Sequence, residues 1–343
     1  MTFPERQRRC TLVRQPDGSH RLTLEQAPVP KPTGREVLVR VHAASLNRRD
    51  VYVLKGQYPM PPRPALVPLS DGAGEIVSVG TAVTRFKAGD RVASIFFQRW
   101  IDGRPDADFH SSALGGQLDG MLSEYVCLAE EGLVRVPEGY SYEEASTLPC
   151  AAVTAWNGLV TRGRMQAGDN VLLLGTGGVS IFGLQFAAAA DARPIVTSSH
   201  DEKLAHAKKL GASATINYAK TPEWSDTVRA ATGGVGVHQV LEVGGAGTLP
   251  QSLASLAPGG HIALIGGLAG FGGEIPARAL LHGNATASGI YVGSRANFES
   301  MNAFIERHRI RPVIDRVYPL DEALAAYQRI DAGEHLGKVV IKL

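Results

Sequence analysis

The stretch Val171-Leu172-Leu173-Leu174-Gly175-Thr176-Gly177-Gly178-Val179-Ser180 decides the fold. Four consecutive apolar residues that end at a glycine read as a strand buried on both faces, as strands of parallel sheets are. The glycines then lead into a helix expected from Ser180 to Ala190. Gly175 allows the tight turn, and Gly177 and Gly178 let backbone approach a pyrophosphate. Thr176 and Val179 share that turn, and the helix N-terminus beyond supplies free N–H groups and a partial positive charge. A glycine motif alone is a weak signal; the strand before it and the helix after it give it meaning.

Working downstream, five more short apolar runs follow: Pro194–Thr197, Ala214–Asn217, Gln239–Val243, His261–Ile265 and Ala285–Ile290. Helical stretches separate them, among them Asp201 to Leu210. Six runs alternating with helices predict an α/β fold with a doubly wound parallel sheet. The second strand ends at Ser198, where an NAD site usually carries Asp or Glu for the ribose hydroxyls. Ser198 and Ser199, with Lys203 one helical turn on, suit a 2′-phosphate instead: no like-charge repulsion and several donors. NADP(H) is therefore favoured over NAD(H). The alternative is that Ser199 only caps the helix from Asp201 and Lys203 faces solvent.

Upstream, the first ~145 residues read as mainly β. Val37–Val41, Gly74–Gly80 and Arg91–Ile95 are strands punctuated by Pro, Gly and Asp, while Gln98 to Leu118 has no periodicity and reads as loop. Met1 to Thr11 reads as an exposed lead into a first strand, without the apolar stretch of a secretory signal. After Gly293 come an amphipathic helix (Phe298, Met301, Phe304, Ile305), a helix from Leu320 to Ile330 and a last strand, Val339 to Leu343. With six strands already assigned to one sheet, the last strand is expected to return to the first domain.

The 343 residues suit about two domains, and 44% hydrophobic against 20% charged residues permits a sizeable core. A net charge of +2 gives no footprint for nucleic acid or an anionic membrane, and no run of ~18 apolar residues predicts a membrane span. Cys10, Cys127 and Cys150 have no paired spacing, which predicts no disulfide scaffold and a reducing cytoplasm.

Several segments together carry a family likeness. They are Asn47-Arg48-Arg49-Asp50-Val51-Tyr52 with Gly56, Tyr58 and Pro59; Leu69-Ser70-Asp71-Gly72-Ala73-Gly74-Glu75; and Leu148-Pro149-Cys150-Ala151-Ala152-Val153-Thr154-Ala155-Trp156. The glycine turn, Ile216-Asn217-Tyr218, Glu242-Val243-Gly244-Gly245 and Gly337-Lys338-Val339-Val340 continue the pattern. In this order, over nearly the whole chain, they resemble the medium-chain dehydrogenase/reductase superfamily, particularly its zinc-free quinone oxidoreductase-like branch. The resemblance implies a GroES-like β-barrel domain (1–146 and 293–343) and a Rossmann domain (147–292), with the reacting centre in the cleft between them. It implies a homodimer formed through the last Rossmann strand, and contacts from Lys203 and Tyr218 to the 2′-phosphate. Thr154, Gly244, Gly266, Gly267, Tyr291 and Gly293 complete the expected cofactor-lining set, together with Arg295. Arg295 is expected near the cofactor phosphates or the bound substrate, the alternative being an ion pair with Glu299.

The superfamily's zinc alcohol dehydrogenases use Cys, His and Cys as catalytic ligands; the matching positions here are Asn47, Ser70 and Cys150. A catalytic zinc needs about three good ligands, and one thiol does not provide them. No cysteine lies between Phe96 and Met121, where the superfamily's structural zinc lobe is expected. The expectation is no metal. Charge on a substrate oxygen must then be stabilised by hydrogen bonds, with Asn47 as donor. That suits small, activated acceptors, quinones or α,β-unsaturated carbonyls. Tyr52 and Tyr58 are candidate proton donors or packing residues. Asp71 either orients the Asn47 neighbourhood or caps a turn, and Asp50 reads as structural. The alternative functions are an alcohol or aldehyde dehydrogenase using NAD(H), and a cofactor-binding protein without turnover.

Overall fold

The computed structural model describes residues 4–61, 63–270, 272 and 274–343. The chain forms two compact units, Met1–Ala151 with Gly293–Leu343, and Ala152–Val292. The first boundary thus falls a few residues beyond the position read from the sequence.

The first unit opens with β1 (Arg6–Arg14), β2 (His20–Pro28), β3 (Glu36–Ser45), helix α1 (Arg48–Leu54) and β4 (Ala65–Leu66). It continues through β5 (Asp71–Val79), β6 (Arg91–Ser94), β7 (Tyr125–Ala129), β8 (Leu133–Arg135) and α2 (Tyr142–Ser146). Arg6 to Thr11 already belong to β1, which pairs with β2 from end to end, so the exposed lead expected there is a strand. The composition explains the difference: Arg6, Arg8 and Arg9 dominate the start of β1, and two of its buried residues, Gln7 and Thr11, are polar, so the segment looks polar. Met1–Phe3 lie outside the described residues.

The second unit contains α3 (Val153–Trp156), β9 (Asn170–Leu174), α4 (Gly178–Ala189), β10 (Arg193–Ser198), α5 (Asp201–Lys209), β11 (Ala214–Asn217) and α6 (Trp224–Ala231). It ends with β12 (Val237–Glu242), α7 (Leu249–Ala254), β13 (Leu256–Leu264), α8 (Ala277–Gly283) and β14 (Thr286–Gly289). Among the described residues these strands form one six-stranded parallel sheet, ordered β11-β10-β9-β12-β13-β14. That is the 3-2-1-4-5-6 order of a Rossmann domain. β9 lies at its centre and is buried along its whole length, as its run of leucines requires. Leu172, Leu174, Ile195, Ile216, Val240 and Ile262 make the core.

The chain then returns to the first unit as α9 (Arg295–His308), β15 (Ile314–Pro319), α10 (Ala323–Asp331) and β16 (Lys338–Lys342). β16 lies between β15 and β3, so the last strand does complete a sheet of the first unit. Among the described residues that sheet runs β15-β16-β3-β5-β6-β8, with β7 also on β3. Its core joins Val37, Val39 and Val41 of β3 to Val339 and Ile341 of β16 and Tyr327 of α10.

Candidate active site

The motif residues of the first unit converge on one buried polar cluster. Leu69 enters it in the left-handed region at φ +68°, a conformation that costs about 1–3 kcal/mol for a non-glycine residue and needs support. Its carbonyl accepts from Met121 N at 2.8 Å, and Gly115 and Gly120 lie so close to the Pro68–Leu69 backbone that a Cβ on either would collide with it. This fixed turn delivers Ser70 and Asp71, both fully buried, to the start of β5.

Asp71 ties the cluster together. Its Oδ1 accepts from the Ser70 hydroxyl at 2.6 Å, and its Oδ2 accepts from Cys150 N at 3.2 Å. Cys150 sits in a wide π-helical turn, Leu148–Ala152, a geometry found often at functional sites. The Lys338 ammonium, 2% exposed, lies 3.6 Å from Asp71 Oδ2. It donates to Leu46 O at 2.7 Å and to Asn47 Oδ1 at 2.6 Å. Asp71 thus reaches Asn47 only through Lys338.

Asn47 precedes α1. Its backbone N–H donates to Asp50 Oδ2 at 2.7 Å. An ammonium can only donate, so the amide atom facing Lys338 is the oxygen. Nδ2 is then left buried without a hydrogen-bond partner. Asp50 is buried, and burial, opposed by the Arg49 guanidinium and the Asn47 N–H, raises its carboxyl pKa to about 6. Burial also raises the Tyr58 phenol, opposed by Arg49, which lies 5.0 Å from the Tyr58 ring centroid and 4.7 Å from that of Phe96. Tyr58 is thus held protonated, as a hydrogen-bond donor. Tyr52 is half-buried with the Arg48 guanidinium 5.5 Å from its ring centroid.

In the second unit, Gly175 takes φ +74° in the turn after β9, a conformation that favours glycine. Gly177 precedes α4 in extended conformation and Gly178 is the first helical residue. The Ser180 hydroxyl donates to Leu174 O at 2.6 Å, fastening helix to strand where a third glycine is common. Thr154 and Thr176 are buried, and Val179 is half-buried. At the end of β10, Ser198 is buried and its Oγ accepts from His200 N at 3.3 Å. Ser199 does not cap α5: the residue before that helix is His200, whose Nδ1 is bonded to Ser199 Oγ at 2.8 Å. His200, an exposed imidazole beside the expected phosphate position, was not singled out from the sequence; its place two residues past the strand end is the only signal. Tyr218 is 43% exposed, and its N–H donates to Ser198 O at 3.2 Å.

Two of the expected cofactor glycines have reasons within their own unit. A Cβ on Gly244 would run into Thr248, and one on Gly266 would lie 2.9 Å from Val243 O. The Glu242 carboxylate, fully buried at the end of β12, organises this loop: it accepts from Gly244 N at 2.8 Å, Gly245 N at 3.0 Å, Thr248 Oγ1 at 2.6 Å and the Ser252 hydroxyl. Gly267 lies in the next loop, after β13, and Tyr291 is partly exposed. Gly293 and Arg295 belong to the first unit. There Arg295 donates to the Glu131 carboxylate and to Glu131 O at 3.1 Å, and its Nε is 3.5 Å from Glu299. The ion pair with Glu299 weighed as the alternative for Arg295 is present, joined by one with Glu131.

Residues 33–138 match the model of the alcohol dehydrogenase GroES-like domain, and residues 178–307 match that of the zinc-binding dehydrogenase. The chain belongs to the medium-chain dehydrogenase/reductase superfamily. A zinc-type alcohol dehydrogenase-like protein of Schizosaccharomyces pombe is 49% identical over 95% of this chain and 96% of its own length. Quinone oxidoreductase-like protein 2 of Mus musculus is 28% identical over 97% of this chain and 91% of its own. The crystal structure of a putative alcohol dehydrogenase from Sinorhizobium meliloti superposes over all of both chains with a TM-score of 0.93 and 40% identity. As a member of this superfamily the chain is an NAD(P)-dependent oxidoreductase. No helix among the described residues is long and apolar enough to cross a membrane.

The superfamily's zinc is not matched by the donors here. Asn47 Oδ1 is occupied by an ammonium and the Ser70 hydroxyl is spent on Asp71. Burial, reinforced by the Asp71 charge, drives the Cys150 thiol far above its ordinary pKa, whereas zinc takes a thiolate. Among the described residues no group of three or more His, Cys, Asp or Glu could hold a metal ion.

Proposed function

We propose that this chain is an NADPH-dependent, zinc-independent reductase of quinones or α,β-unsaturated carbonyls. The observation that carries the reading is Asn47 Nδ2, a buried donor left without a partner beside a hydroxyl and an ammonium that are already engaged. Bound NADPH supplies a hydride to the acceptor. Asn47 donates to the acceptor oxygen, on which the electron pair accumulates, and so favours substrates in which that charge is delocalised. The Tyr58 phenol, beside Arg49, and Tyr52 are the candidate proton donors. Ser198, Ser199, Lys203 and Tyr218 receive the 2′-phosphate, with the turn Gly175–Val179 and the α4 N-terminus beneath the pyrophosphate. Thr154, Gly244, Gly266, Gly267, Tyr291 and Gly293 line the remainder. The working form is a cytoplasmic homodimer joined through the edge strand β14.

Purified protein is tested for NADPH and NADH oxidation with 1,4-naphthoquinone, trans-2-hexenal and hexanal, with and without a chelator. The expected result is quinone or enal reduction with NADPH, unaffected by the chelator. Stoichiometric zinc with chelator-sensitive oxidation of hexanol by NAD+ would instead make the protein an alcohol dehydrogenase.

A further inference from the structure

Lys338 begins β16, in a sheet whose centre is apolar, yet its ammonium is buried against Leu46 O, Asn47 Oδ1 and Asp71 Oδ2. Burying an ammonium costs several kcal/mol even when paired, and a well-packed apolar residue of similar size is often as stable. Stability alone therefore does not account for a charge here. What the charge does locally is specific. Through Asp71 it is linked to Ser70 and Cys150, and it binds Asn47 directly, so one ion pair reaches all three positions that match the superfamily's zinc ligands.

We infer that the Lys338–Asp71 pair takes the organising role of the missing metal, and that Lys338 is the positioning residue that presents Asn47 Nδ2 to the acceptor oxygen. This rests on the reductase reading above. A free asparagine amide can turn over and offer either its oxygen or its nitrogen. Against an ammonium that bonds Oδ1 at 2.6 Å, only one orientation is allowed, and it leaves Nδ2–H2 as the donor. Asn47 also shares a capping box with Asp50: its N–H donates to Asp50 Oδ2, and its side chain faces the Asp50 N–H, which favours the same amide orientation as Lys338. Accepting from a cation also polarises the amide and strengthens its N–H groups as donors. A divalent ion would attract the acceptor oxygen directly. Here the positive charge acts through one amide, which gives weaker but directional stabilisation and suits acceptors that are already activated.

Three variants test this with 1,4-naphthoquinone and NADPH: Lys338→Met, Asn47→Ala and the double variant. Lys338→Met is expected to lower kcat about 10–100-fold, the range seen when a partner that orients an active-site ligand is removed. The NADPH KM should stay unchanged and the isotope effect from 4-deuterated NADPH should rise. The double variant is expected to be no slower than the slower single variant. Independent, multiplicative losses, or an unchanged isotope effect, would overturn the inference. Lys338→Gln, which keeps a neutral donor for both oxygens, guards against misfolding and should retain a cooperative melt with an intermediate kcat. A readout free of turnover is the 15N–1H signal of the Asn47 side-chain amide. It should shift or broaden in Lys338→Gln and not in a variant of the exposed Lys342; an unmoved signal overturns the role of Lys338. If the wild-type protein reduces no acceptor, the reductase reading fails, while the amide signal still decides whether Lys338 orients Asn47.

Discussion

Two neighbouring residues can look equally suited to a cofactor and differ in what holds them. Ser198 is buried at a strand end, and an aspartate there would still accept from His200 N while placing a negative charge beside a 2′-phosphate. Ser198→Asp is expected to raise the NADPH Kd at least about tenfold, ~1.4 kcal/mol, with little change for NADH. Fluorescence titration with both nucleotides checks it, and an unchanged ratio would remove Ser198 from the phosphate site. Arg295 is the opposite case. Its partners Glu131 and Glu299 are 37% and 48% exposed, so the pairing contributes only about 1 kcal/mol. Arg295→Ala should lower Tm slightly and leave NADPH affinity within about twofold; a tenfold loss by calorimetric titration would show the guanidinium reaching the phosphates. The sequence could place Arg295 beside a glycine loop but could not see Glu131, which approaches from a distant part of the chain. Lys338 escaped notice for the same reason: Gly337-Lys338-Val339-Val340 was legible as a motif, but nothing local says that its ammonium meets Asn47.

Elements were legible in proportion to how regular their burial is. β9 and β10 are buried along nearly their whole length and read as unbroken apolar runs, so the parallel sheet and its glycine turn were recoverable from local sequence. β15 was not, because Asp315, Arg316 and Val317 keep it half-exposed and it has no apolar run. α6 was expected between its two strands but without bounds: its buried face is made by Trp224, Ser225 and Val228, too few apolar residues to mark its ends. Within β13 one residue departs from the apolar pattern. His261 is buried, with Nδ1 3.1 Å from Gln239 Oε1 of β12. Burial, and secondarily the charge of Arg162, lowers its pKa from the ordinary 6.5. A histidine held neutral in the fold contributes stability that is present above its unfolded pKa, ~6.5, and lost as pH falls towards its folded value. The wild-type Tm should therefore drop more between about pH 7.5 and 5.5 than that of His261→Gln. Parallel pH dependences in differential scanning fluorimetry would mean that His261 is not the group responsible.

At the scale of the molecule, the first unit is made from both ends of the chain, with the entire second unit spliced between them. β16 fills a central place between β3 and β15, so ending the chain after Gly337 removes an interior strand along with the site lysine. That truncation is expected to abolish the cooperative melt of the first unit, leaving β3 with an unpaired edge and an aggregating protein. A soluble truncated chain with an intact two-step melt would show that β16 is dispensable.

Position in the chain also sets an order in time. During synthesis β3 emerges from the ribosome almost 300 residues before Lys338, a delay of roughly 15–60 s at ~5–20 residues per second. Throughout that interval the nascent first unit exposes an open sheet edge, and the Asn47 amide has no ammonium to orient it. The inserted Rossmann unit, contiguous in sequence, can finish folding while its neighbour waits. On the reading proposed above, a chain from which Lys338 has not yet emerged lacks the group that orients Asn47, although its Rossmann unit is already complete.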